Sequence, residues 1–233
     1  MQHRLIPDGR VRLAVGALVF ASGLSLCMLA VRTYFAERAQ LIFYIWNLFL
    51  AWLPLLFALR FYRLDSTHPP RWPGLALWAG SWFLFFPNAP YIVTDLLHLD
   101  IRPPIPIWFD LIMMMSFAWT GLLLGYLSLF LMQEVVRRRW GATWSWSFVA
   151  VMLMLASFGI YLGRFERWNS WDVLTRPFGL AADVIARMNF LRYPQMSAFC
   201  VTFFAFSLLS YATVYTLTHL HRPAQADEPT GEG

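Results

Sequence analysis

Residues 111–133 read LIMMMSFAWTGLLLGYLSLFLMQ, 23 residues without one charged side chain. Wound as an α-helix at 1.5 Å per residue, the run extends about 34 Å, enough to cross a hydrocarbon core of roughly 30 Å. Five more uncharged stretches occupy residues 13–31, 39–59, 72–94, 140–163 and 193–218. The predicted fold class is therefore all-α, a polytopic membrane helix bundle of about six spans. Residues 1–221 are expected to form one integral membrane domain and residues 222–233 a disordered cytoplasmic tail. The third stretch departs from the rest. Pro87 and Pro90 leave only about 13 helical residues before them, or roughly 20 Å, so this span is expected to be broken there.

Composition supports the same class. The 233 residues are 59% hydrophobic and 13% charged, whereas a soluble domain carries about 25% charged residues. A soluble enzyme, a disordered chain and a secreted disulfide scaffold are all excluded on that ground. The formal charge of +5 comes from 18 basic residues, all arginine. No basic run exceeds Arg137-Arg138-Arg139, so nucleic acid is not an expected partner. Cys27 and Cys200 lie in apolar runs and read as small core hydrophobes. The first stretch imitates a signal peptide, but its length and the bulky Leu26 at the cleavage-box position favour a retained helix.

Counting arginines in alternate segments gives ten on the side of the N-terminus and eight on the other. The positive-inside rule then places both termini in the cytoplasm of a prokaryotic plasma (inner) membrane. By parity, residues 88–102, Asp110 and residues 164–192 all share one face, the outer one.

The unexplained polar residues gather on that face. Phe86-Pro87-Asn88-Ala89-Pro90-Tyr91 interrupts an apolar span, and interrupted helices need protein or a cavity around their freed backbone groups. On a helix running from Pro90, Tyr91, Asp95 and His98 fall within a 60° arc. Asp95 and His98 can form a general-base pair or share a metal; no metal ligand and no cofactor is assigned. Asp110 begins the fourth span, where the helix dipole favours a carboxylate. The run Gly163-Arg164-Phe165-Glu166-Arg167-Trp168-Asn169-Ser170-Trp171-Asp172 is the densest. If the fifth span continues as helix, Arg164, Arg167, Trp168 and Trp171 share one face, and the two arginines become candidates for gripping a lipid headgroup. Residues 177–192 read as a short interfacial helix before the last span, with an Asp183–Arg187 pair.

Three runs also carry a resemblance. Trp46-Asn47-Leu48-x-Leu50-Ala51-Trp52-x-Pro54 is the first, and residues 86–99, from Phe86-Pro87-Asn88 to Asp95-Leu96-x-His98-Leu99, are the second. Residues 159–172, from Gly159 to Asp172, are the third. Together they resemble a prokaryotic membrane-protein family known as domain of unknown function 1361. The resemblance implies a multi-helix membrane domain and no particular chemistry. Glu166 is atypical of it, an apolar residue being expected there.

From the residues, the expected function is that of an enzyme acting on a lipid or membrane-embedded, lipid-linked substrate at the outer interface. Asp95, His98 and Asp172 are its candidate catalytic groups; Asn88, Tyr91, Asp110, Arg164, Arg167 and Asn169 are candidate substrate contacts. A small transporter using the broken span and a membrane scaffold without chemistry are the alternatives. One structural link is expected in either case. A buried carboxylate needs a cation, so Asp95, Asp110 or Asp172 should lie within reach of Arg164 or Arg167.

Overall fold

The computed structural model describes residues 8–36, 41–65, 72–99, 105–187 and 192–219. Among them every regular element is helical. Five helices are long and apolar enough to cross a membrane: α1 (Asp8–Ala36), α2 (Phe43–Asp65), α5 (Ile107–Trp140), α6 (Ala142–Phe165) and α9 (Pro194–His219). The protein is thus an integral membrane helix bundle. The tail at 222–233, and Met188 and Leu191 of the interfacial segment, lie outside the described residues.

The third stretch is the exception that the prolines foretold. Helix α3 (Trp72–Phe85) has 14 residues, too few to span. One turn of helix, α4 (Asn88–Tyr91), follows the bend, and a 3₁₀ segment over Ile92–His98 follows that. The composite still runs antiparallel to the whole of α2. Leu64 Cδ1 near the end of α2 lies 3.9 Å from where a Cβ on Gly74 would stand, while Tyr44 and Asn47 at its beginning hydrogen-bond Asp95. A broken segment therefore covers the depth that one 23-residue helix covers beside it.

Two glycine pairs make room for the break. Gly121-x-x-x-Gly125 on α5 and Gly159-x-x-x-Gly163 on α6 read in the sequence as generic helix contacts, yet both face the bent backbone rather than each other. A Cβ at Gly121 would lie 2.8 Å from the Ala89 carbonyl oxygen, and one at Gly125 3.2 Å from the Ala89 Cβ. On the other side, a Cβ at Gly159 would meet the Pro87 ring at 3.1 Å and one at Gly163 the Tyr91 ring at 3.4 Å. Small residues allow close backbone approach in membranes; here they seat residues 87–92 between α5 and α6.

Charge is segregated to the two ends. At one end Asp65 takes Arg138 and Arg139, and Glu134 takes Arg137. The opposite end holds the close of α1, the start of α2, the 3₁₀ segment, the start of α5 and the close of α6. Parity placed these together, and the contacts agree. Two further short helices, α7 (Asp172–Thr175) and α8 (Pro177–Arg187), lie at this end, and α8 buries no residue. Phe178 is 89% exposed, as an interfacial helix requires. The cysteines divide: Cys200 is buried as expected, while Cys27 is exposed on the outside of α1, where apolar surface meets lipid.

Candidate functional site

The break is stitched shut by side chains. Pro87 and Pro90 bring no N–H, and the Ala89 N–H turns to the Phe86 carbonyl at 3.2 Å. The last carbonyls of α3 then lack helical donors. Asn88 Nδ2 supplies the Phe85 carbonyl at 3.0 Å, and Ser170 Oγ supplies the Leu84 carbonyl at 3.3 Å. Asn88 Nδ2 also donates to Ser170 Oγ at 2.9 Å. Residues 86–91 and 163–172, far apart in sequence, are thereby one unit.

A charged network lies just beyond. In a 3₁₀ helix residues three apart eclipse, so Asp95 and His98 stand on one edge and Tyr91 is displaced from it. This replaces the single α-helical arc expected for the three. Arg164, in the last turn of α6, donates from Nη1 to Asp95 Oδ1 at 3.1 Å and from Nη2 to His98 Nδ1 at 3.0 Å. The expected bond between the two motifs is thus made by Arg164 and Asp95. Asn47 Nδ2 donates to the second Asp95 oxygen at 2.7 Å, and the Tyr44 hydroxyl to the Asp95 carbonyl at 3.1 Å. Asp95 is 1% exposed, and the His98 side chain 43%. The guanidinium occupies the space that a cation shared by Asp95 and His98 would need. Among the described residues no three His, Cys, Asp or Glu side chains gather as a metal site.

The other candidates are placed as follows. Asp110 is buried but does not face His98 or Arg164: Arg32, at the end of α1, donates to both its oxygens at 3.0 and 3.2 Å. It pins α1 to α5. Helix α6 ends at Phe165, so the shared face expected for Arg164, Arg167, Trp168 and Trp171 does not form. Arg167 adopts the left-handed conformation with φ 62° and is exposed; it reaches none of the three carboxylates. Asp172 closes the following turn, accepting from the Asn169 N–H at 2.8 Å and Thr175 Oγ1 at 3.0 Å. The Asn169 N–H above all holds its carboxyl below the usual range. Asn169 itself is exposed. The atypical Glu166 pairs with Arg187 at 2.7 Å, and Trp168 Nε1 donates to Asp183 at 2.8 Å, so both fasten α8 to the turn. The Asp183–Arg187 pair is present at 3.1 Å.

Between α2, the break, α6 and α8 lies a cavity of about 440 Å³. Asn47, Asn88, Tyr91, Asn169 and Ser170 line one end; Leu50, Phe83, Met152, Leu155 and Phe158 line the rest. Trp46, Phe83 and Leu155 at its rim are each 42–52% exposed on helix exteriors. Leu180 and Val184 of α8 border the polar end. Sequence reasoning missed Asn47 and Ser170 as members of this site. Asn47, polar in an apolar span, was legible as a hydrogen-bonding group but not as Asp95's partner.

The family described as Protein of unknown function (DUF1361) matches residues 46–210 of the chain. No curated protein and no solved structure matches it.

Proposed function

This chain belongs to the DUF1361 family, and we propose that it binds a lipid or lipid-linked molecule from the bilayer, headgroup at the broken helix and chain along α6. One observation carries the reading. The cavity joins a polar end at Asn47, Asn88 and Ser170 to an apolar body whose rim, Trp46, Phe83 and Leu155, is exposed on the outside of the bundle. Ligand sites take this form, mostly apolar with a few placed polar groups, and an opening in the lipid-facing wall selects an amphipathic occupant. In the orientation favoured by the arginine count, with both termini cytoplasmic, the polar end faces outward from a prokaryotic plasma membrane.

If the protein also acts on its ligand, His98, partly exposed and bonded to Arg164 just beyond the cavity, is the reacting group, with Asp95 and Asp172 as positioning groups. Native mass spectrometry of protein released from membrane vesicles tests the binding. One retained lipid per chain is expected, and Ala156→Phe, which fills the cavity, should abolish it. Retention of the same lipid by that variant, or of none by wild type, would count against the proposal.

A further inference from the structure

The polar end of the cavity has a one-sided hydrogen-bonding character. Asn47 gives one of its two amide N–H groups to Asp95, and Asn88 gives both of its own, to the Phe85 carbonyl and Ser170. Carboxylate and carbonyl can only accept, so these contacts fix both amide orientations. The Asn47 and Asn88 Oδ1 atoms, left over, have no hydrogen-bond partner among the described residues, nor has the Tyr91 hydroxyl. The Trp168 N–H that could have donated into the cavity is held by Asp183. The open donors, one Asn47 N–H, the Tyr91 O–H and the Asn169 amide, are outnumbered by the open acceptor sites, because each amide oxygen offers two lone pairs.

Charge points the same way. A phosphate needs several N–H donors or a free cation. Arg164 does not line the cavity and gives its fork to Asp95 and His98, and Arg167 lies outside the lining. An ammonium headgroup meets the opposite obstacle, because the Arg164 guanidinium stands 5.9 Å from the Tyr91 ring centre. Hydroxyl groups suit both constraints, donating to the amide oxygens without carrying charge. The indole surfaces of Trp46 and Trp168 border the same end and offer flat apolar area to the C–H faces of a sugar or glycerol unit.

We infer that the headgroup bound at the broken helix is a non-ionic polyol, a glycosyl or glycerol unit on a lipid, and that phosphate-bearing headgroups are refused. This rests on the cavity being a lipid site, and it replaces the arginine clamp that the sequence suggested.

Photocrosslinking tests it on the full chain in phosphatidylcholine nanodiscs. Three probes carry the same diazirine-bearing acyl chain: glucosyl-diacylglycerol, diacylglycerol and phosphatidic acid. Labelled peptides from α3–α4 and α6 are quantified by mass spectrometry. Both non-ionic probes are expected to label these peptides at least about fivefold more than phosphatidic acid, the worth of one net hydrogen bond. Glucosyl-diacylglycerol ahead of diacylglycerol identifies a glycosyl head, and equal labelling identifies glycerol. Phosphatidic acid labelling as well as either would overturn the inference while leaving the lipid site standing; no labelling of these peptides by any probe would overturn both. Asn88→Leu should lower non-ionic labelling about fivefold. Because Asn88 also secures α3, Trp46→Ala on the exposed rim is a second variant with the same expectation, and unchanged labelling in both would overturn the inference.

Discussion

Arg164→Ala should destabilise the protein by about 3–5 kcal/mol at neutral pH, the cost of leaving a buried charge without its partner. Asp95 is enclosed by α2, the 3₁₀ segment and α6, and among the described arginines Arg164 pairs with it, at 3.1 Å. The loss should shrink as the pH falls and Asp95 takes up a proton, which removes the orphaned charge. Arg176→Ala is the control. Arg176 also contacts a carboxylate, Asp172 at 3.3 Å, but its side chain is 65% exposed, and such pairs contribute about 0–1 kcal/mol. Thermal unfolding in nanodiscs separates the two; equal effects, or a pH-independent loss for Arg164→Ala, would mean that Asp95 does not depend on it.

Arg32→Ala should cost a similar amount, about 3–5 kcal/mol, by exposing Asp110 to an interior that offers no substitute. Both side chains are almost wholly buried, and the guanidinium grips both carboxylate oxygens. The pair is expected to act as a pin rather than as a source of affinity or chemistry. Arg32→Met combined with Asp110→Leu should therefore recover most of the loss, since well-packed apolar residues often equal a buried ion pair. A double variant as unstable as the single one would show that the charges do more than hold α1 to α5.

The contrast between Asp95 and Asp110 marks where sequence reasoning reaches its limit. Span positions follow from uninterrupted apolar runs, and the break from two prolines three residues apart, each of which removes a helical N–H and crowds the preceding turn. The gathering of polar residues at one end follows from parity alone. Pairing does not follow. Nothing in the sequence distinguishes Arg32 from Arg164 as the partner of a given aspartate, because the choice is made by helix rotation and neighbour order. The stop at Phe165 was equally hidden. Residues 164–168 carry no proline or glycine, and the helix ends because the Trp168 N–H turns back to the Leu162 carbonyl, with Arg167 in the left-handed region. The glycine pairs were visible as motifs, but their occupant, the bent backbone of residues 87–92, belongs to a segment remote from both.

The cavity brings these parts together: proline break, Asn88–Ser170 stitch, glycine seats and Asp95–Arg164 bond all border or brace one space. A cryo-electron microscopy map of the protein in nanodiscs made from native membrane lipid addresses it directly. Density for one elongated molecule is expected between α2 and α6, its head within hydrogen-bonding distance of Asn47 and Asn88 and its tail passing Leu155. A cavity collapsed onto its own side chains, or lipid density confined to the outer surface of the helices, would contradict a binding site at the broken helix.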